Sequence, residues 1–235
     1  MDQTSPLIRL NKFIAQQLGI SRRQADEFIV QKRVQVNDKY AILGTTINPT
    51  IDRIQLDKQH LAMTPKEHLY VLFHKPKNYV CSRRQQGLTP TIYALLPKRY
   101  QHLNPVGRLD KDSSGILLLT NDGDLALRLT HPRYQKVKVY EVGLDKPLQP
   151  LHHQHISDLG LQLTDGHSQL QLTPLDESRM NWQITMHEGR NRQIRRTFAA
   201  LGYEVKSLHR IQFGPYNIEQ LEGKTFLEIS SPDIS

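Results

Sequence analysis

Cys81 is the only cysteine in this 235-residue chain, so no internal disulfide can form and a reducing, intracellular setting is expected. The opening Met1-Asp2-Gln3-Thr4-Ser5-Pro6 lacks a basic segment followed by an apolar one. Nowhere do the roughly 18 apolar residues of a membrane-spanning helix run together. A soluble cytoplasmic protein with no membrane partner is the expectation. Acidic residues are the minority: 23 Asp and Glu against 31 Lys and Arg leave a formal net charge of +8. That balance favours a polyanionic partner, with nucleic acid foremost. Repeats and low-complexity tracts are absent, and strands and helices do not alternate regularly. An α+β fold on a mixed, mostly antiparallel sheet follows, in place of a doubly wound one.

The length is enough for one large domain or two unequal ones. Near the N-terminus Leu10, Phe13, Ile14 and Leu18 fall at helical spacing and Gly19 suits a left-handed cap, which predicts a first helix. Ser21-Arg22-Arg23-Gln24 has the Ser-x-x-Gln form of a capping box, which opens a second helix running to about Lys32. Val34 to Lys39 alternates like a half-buried strand, and short strands are expected at Thr46-Ile47 and Ile54 to Leu56. The basic residues Arg9, Lys12, Arg22, Arg23, Lys32 and Arg33 lie on or beside the faces these apolar stripes leave free. Thr64-Pro65-Lys66-Glu67 breaks the pattern and reads as a linker, after which Leu69 to Phe73 begins a new domain on a buried strand.

In that second domain Gly107-Arg108-Leu109-Asp110-Lys111-Asp112-Ser113-Ser114-Gly115 runs directly into the apolar Ile116-Leu117-Leu118-Leu119-Thr120. A carboxylate in a glycine-bounded turn at the mouth of a buried strand presents a reactive group on a rigid support. Asp110 suits a nucleophile or a general base. An EF-hand calcium loop shares the Asp-x-Asp spacing but requires Glu at its twelfth position, where Asn121 stands. Farther on, Glu188 to Arg196 packs four arginines, Arg190, Arg192, Arg195 and Arg196, around a predicted strand-to-helix junction. At about 100° per residue, Ile194, Phe198 and Leu201 share the core stripe of a helix over 191–201. Arg192 and Arg196 lie opposite, free for phosphates, and Arg195 on the flank can turn inward to a buried carboxylate.

Other residues read more plainly. Cys81 follows Tyr79-Val80 as a small half-buried residue without activating context. His152-His153-Gln154-His155 has no carboxylate or cysteine pattern to complete a metal site, so no metal is expected. Trp182 and Phe198 sit within apolar patterns as core residues.

Taken together, Gly107 to Asp110 with Ser113, Gly115 and the apolar tail resemble the signature of the RsuA family of ribosomal RNA pseudouridine synthases. Lys138-Val139-Tyr140-Glu141-Val142 resembles that family's tyrosine-bearing strand, and Glu188 to Arg196 its third motif. Arg9-Leu10-Asn11-Lys12-Phe13 with Ser21-Arg22-Arg23 is similar to an S4 RNA-binding domain. The resemblance covers nearly the whole chain in the family's order; Thr197 departs from the usual apolar residue, and 152–168 follows no motif. It implies an S4-like module over 7–65 and a catalytic domain over 67–232. It also implies isomerisation of uridine to pseudouridine in structured RNA, foremost ribosomal RNA or a ribosome assembly intermediate. That reaction has no net redox change and loses no group, so no cofactor is expected. A monomer is the simplest reading because the S4-like arm already extends the RNA surface. Asp110 is then the catalytic aspartate, Tyr140 the residue that packs on the target uracil, and Arg195 the basic partner of Asp110. Arg9, Lys12, Arg22, Arg23, Lys75, Arg108, Arg190, Asn191, Arg192 and Arg196 are the expected RNA contacts. The rivals are a non-catalytic RNA-binding or ribosome-assembly protein and a hydrolase that releases free uracil.

Overall fold

In the computed structural model the described residues are 7–62 and 67–230. The expected linker residues Thr64 to Lys66 lie outside them. The chain divides into two compact units, the first reaching to Glu67 and the second beginning at His68.

The N-terminal unit follows its apolar pattern closely. Strand β1 (Ile8–Arg9) leads into helix α1 (Leu10–Leu18), which Gly19 ends in the left-handed region at φ 69°. Ser21 caps helix α2 (Arg22–Val30): its side chain accepts from the Gln24 amide, and the Gln24 side chain accepts from the Ser21 amide. Strands β2 (Val34–Val36), β3 (Lys39–Tyr40), β4 (Thr46–Ile47), β5 (Ile54–Leu56) and β6 (Gln59–His60) complete it. Sheet order is β3-β2-β5-β6, with β1 paired to β4. Asn37 and Asp38, both at positive φ, make the tight turn between β2 and β3. Leu10, Phe13, Ile14, Ala25, Ile29, Val34, Ile47 and Ile54 form one core. Burying each large member removes enough apolar surface to contribute about 1.5–3 kcal/mol.

The second unit is built on a nine-stranded sheet. Its strands are β7 (Tyr70–Lys75), β8 (Asn104–Pro105), β9 (Ser114–Thr120), β10 (Lys138–Leu144), then β13 (Gln171–Pro174), β14 (Asn181–Met186), β15 (Val205–Phe213), β16 (Tyr216–Asn217) and β17 (Phe226–Ile229). Between β10 and β13 lie a short helix α4 (Pro150–Gln154) and a separate hairpin of β11 (Leu161–Leu163) and β12 (Gly166–Ser168). Helix α3 (Gly123–Thr130) follows β9, and helix α5 (Gln193–Ala199) precedes β15. The path β13-β14-β10-β15-β9-β7-β17 is antiparallel except where β15 lies parallel to β9, so the sheet is mixed and mostly antiparallel as expected.

β9 is buried on both faces, which explains its unbroken apolar run. Ile116 and Leu118 pack beneath α3, and Leu117 and Leu119 join Ile92, Leu96 and Tyr100 on the other side. Around β10, β14 and α5 a third cluster gathers Leu109, Tyr140, Trp182, Ile184, Ile194 and Phe198. The Trp182 and Phe198 expectations therefore hold. One boundary differs: α5 starts two residues later than its pattern indicated because Arg192 adopts a left-handed conformation.

Candidate active site

A cleft of about 330 Å³ in the second unit is lined by the 107–113 turn, the C-terminal end of α3, β10, β15 and the start of α5. Asp110 and Tyr140 both face it, together with Arg108, Arg190, Asn191 and Arg192. The turn that carries Asp110 is held from below. Leu109, 6% exposed, is anchored in the core, and its amide donates to Cys81 Sγ at 3.5 Å. Burial pushes the Cys81 thiol up, which favours the protonated acceptor over a thiolate.

Lys75 is the main support and the clearest correction to the expected RNA contacts. Expected at the RNA surface, it is fully buried at the end of β7, and its ammonium donates to the carbonyls of Pro76 (2.9 Å), Asp110 (3.0 Å) and Ser113 (2.7 Å). A charge inside the fold requires such acceptors, and here they are the backbone of the reactive turn. Burial pushes its pKa down, against the opposing pull of Cys81, Asp110 and Asp112. A buried lysine in His-Lys-Pro carries no local signal that separates it from an exposed one.

The arginine assignments also change. Arg195 makes its direct contacts with neighbours of Asp110: its Nε lies 3.2 Å from Asp112, its two Nη atoms donate to the carbonyls of Val205 and Asp112, and the Asp110 charge reaches it at longer range. The side chain that reaches Asp110 is Arg192, at 3.6 Å, and it also forms a fork with Asp112 through two bonds of 3.1 Å. The helical wheel gave Arg192 an outward direction, but Arg192 precedes the helix at φ 47° and the wheel does not apply to it. Burial would raise the Asp112 carboxyl, but the hydrogen bonds from Arg192 and the charges of Arg195 and Arg192 outweigh it and hold the group below its ordinary value. Arg192 is raised in return by the same hydrogen bonds.

Arg190 and Arg196 converge on Asp165 of the β11–β12 hairpin, with Nη–carboxylate distances of 3.2 and 2.6 Å. The segment without a motif thus supplies the counter-charge for two expected RNA contacts. Asn191 lines the cleft and accepts from Arg196 Nε through its carbonyl. Arg108 is exposed at the cleft. In the N-terminal unit Arg22 and Arg23 are exposed on the first turn of α2, Arg9 donates to the Gly44 carbonyl, and Lys12 is half-buried on α1. Of the histidines, His152 bonds Tyr203 and His153 stacks on Trp182.

Lys138, which entered only as the first residue of the tyrosine-bearing motif, and Arg210 were not among the expected site residues. Both line the cleft, and Arg210 is 2% exposed. Arg210 stands in a strand between His209 and Ile211, where neither charge density nor turn chemistry marks it.

A family model for RNA pseudouridylate synthases matches residues 69–200, which span the turn, the tyrosine strand and α5. The chain belongs to this family. An S4 domain model matches residues 8–41 of the synthase. Among its relatives are the ribosomal large subunit pseudouridine synthase B of Bacillus subtilis, 34% identical over 96% of this chain and 93% of that protein, and the ribosomal small subunit pseudouridine synthase A of Pasteurella multocida, 34% identical over 97% and 98%. An RNA pseudouridine synthase of Aquifex aeolicus is 32% identical over 97% of this chain. A crystal structure of a pseudouridylate synthase superposes with a TM-score of 0.66 at 32% identity, covering 95% of this chain and 96% of that one. The synthase is therefore an RNA-modifying isomerase with an N-terminal S4 domain. No helix of the described residues is long and apolar enough to cross a membrane.

Proposed function

We propose that this synthase isomerises one uridine of structured ribosomal RNA, with Asp110 as the catalytic carboxylate and Tyr140 packed on the target uracil. The observation that carries the reading is the meeting of Asp110, Tyr140 and Arg192 in one cleft of a size suited to a single base. The reaction breaks a C–N glycosidic bond, turns the uracil and rejoins it through carbon. No electron or group is lost overall, so neither a redox cofactor nor a metal is called for. Cleavage builds positive character on the sugar, which an ionised carboxylate beneath it stabilises. Asp110 acts as nucleophile toward the sugar or as the base that removes a sugar proton. Arg192 neutralises Asp110 from the side, and Arg195, acting through Asp112, is a positioning residue.

The target has to leave its stack to reach the cleft, at a few kcal/mol of unstacking. Exposed Arg108 beside Asp110 is suited to the flanking phosphate or the vacated space. In this reading the catalytic domain runs over 67–232 and the S4-like domain over 7–65. Arg22, Arg23, Arg9 and Lys12 supply sequence-independent backbone contacts that set register. The protein acts as a cytoplasmic monomer on ribosomal RNA or an assembly intermediate.

The test is carbodiimide-based mapping of pseudouridine in total rRNA from cells without the protein, complemented by wild type or Asp110→Asn. One position restored only by wild type supports the reading. An unchanged rRNA map with a changed tRNA or mRNA map moves the substrate, and no change anywhere favours a non-catalytic RNA-binding protein.

A further inference from the structure

Two cations at the cleft floor have no part in the reaction as set out above. Arg210 on β15 is 2% exposed, yet no carboxylate pairs with it among the described residues. Its Nε and one Nη donate to the Ile116 carbonyl at 2.9 and 2.8 Å, its guanidinium lies 4.6 Å from the centre of the Phe213 ring, and the other Nη has no hydrogen bond among the described residues. Lys138 on β10 lies 6.0 Å over the same ring and, among the described residues, its ammonium donates only to the Lys136 carbonyl. Glu188, whose charge reaches Lys138, is itself bonded to Arg190 and Gln193. By contrast Arg190, Arg192, Arg195 and Arg196 all hold carboxylates.

The backbone aims this pair deliberately. Val139 is opposite Gln212 and Tyr140 opposite Arg210, so Ile211 is an extra residue, a bulge in β15. In a regular strand residues three apart point to opposite faces; the bulge puts Arg210 and Phe213 on the same face of the sheet, beside Tyr140. An uncompensated cation buried next to the residue that packs on uracil is costly to the fold unless an anion arrives there.

We propose that Arg210, assisted by Lys138, binds the detached uracil and stabilises the negative charge it carries between bond cleavage and reattachment. The inference rests on the isomerase reading with Asp110 and Tyr140. When the C1′–N1 bond breaks, its electron pair leaves with uracil, and the charge on N1 spreads to O2 and O4. C1′ is taken by an Asp110 oxygen, or Asp110 removes the C2′ proton and a C1′–C2′ double bond forms. Later C5 attacks C1′, Asp110 departs or returns its proton to C2′, and the C5 proton is lost as N1 gains one. Charge exists on the base only between these steps, so donors fixed in advance at O2 or O4 act where charge develops. Depth separates this role from phosphate binding. A phosphodiester belongs to a continuous backbone that stays at the mouth, where exposed Arg108 stands, and the flipped base is the part that enters.

The test uses the full-length enzyme and an rRNA fragment bearing its mapped uridine, under single turnover. Arg210→Met is expected to slow conversion about 100-fold or more and Lys138→Met about 10-fold, with RNA affinity changed by less than about 2-fold. With 5-fluorouridine at the target, whose ring bears the N1 charge more readily, the Arg210→Met deficit in glycosidic cleavage should shrink about tenfold, because the leaving group then needs less help. Arg210→Lys should retain an intermediate rate. Equal deficits on both substrates would overturn the inference, as would weakened RNA binding with a shallower salt dependence, the mark of a phosphate contact. Thermal melting monitors folding, and if Arg210→Met does not fold, the substrate comparison on half-exposed Lys138→Met decides by the same criteria. A wild-type enzyme that binds the RNA but neither converts the uridine nor cleaves the glycosidic bond of the 5-fluorouridine would instead remove the isomerase reading itself.

Discussion

At the residue scale, Lys75 and Asp112 do most to hold the candidate catalytic turn. Lys75→Met leaves three carbonyls, one buried and two part-buried, without this donor while keeping most of the side-chain volume. The expected loss is about 2–4 kcal/mol of stability, read as a lower urea midpoint. Activity should fall with it, because the Asp110 carbonyl is one of the three. An unchanged midpoint would mean that the ammonium is not holding the turn. Asp112 offers a pH test. Its carboxyl is held below the ordinary value in the fold, so its ion pairs contribute fully above the unfolded value of about 3.9. That contribution is lost as pH falls through the lowered folded value. The side chain is 43% exposed, and solvent screening limits the effect to about 1 kcal/mol or less. Asp112→Asn should therefore be slightly less stable at pH 7 and lose less than wild type on acidification to about pH 3, as urea midpoints at the two pH values would show.

At the scale of elements, the parallel contact of β9 and β15 depends on one glycine. Gly115 has φ 121°, and a Cβ there would stand 2.2 Å from the Arg210 carbonyl oxygen and 2.4 Å from its nitrogen. Gly115→Ala must push the two strands apart at the sheet centre, with a loss of about 3 kcal/mol or more. The measurement is the melting temperature and soluble yield, and the displaced Arg210 makes a parallel loss of activity the expected companion. The α2 cap is a milder case: Ser21→Ala removes one member of the capping box and should lower stability by about 1 kcal/mol, read as a lower melting temperature of the transition that includes α2. Both motifs were visible as residue patterns. The capping box is local chemistry that needs only four consecutive residues, whereas the reason for Gly115 is a strand that comes 95 residues later.

For the whole molecule, the net charge of +8 is distributed over two units, and the exposed pair Arg22 and Arg23 on α2 belongs to the smaller one. The double variant Arg22→Ala, Arg23→Ala should weaken RNA binding nearly uniformly across sequences and reduce the slope of log affinity against log salt by roughly one to two. Filter binding at several salt concentrations checks this, and an unaltered slope would place the phosphate contacts elsewhere.

Residue order alone carried the α1 and α2 boundaries to within about two residues, the mixed sheet, the family and the turn bearing Asp110, because periodicity, caps and contiguous motifs are written locally. It did not carry the pairing of charges. Arg192 rather than Arg195 meets Asp110 because a single left-handed residue sets the start of α5, and Asp165 binds Arg190 and Arg196 across about 25 to 31 positions of chain. Burial of Lys75 and Arg210 was likewise hidden, since a cation reads as surface until its acceptors are known. Those acceptors are backbone carbonyls at Asp110, Ser113 and Ile116, which every residue possesses and no sequence distinguishes. Only the folded sheet, with its bulge at Ile211, brings them within reach.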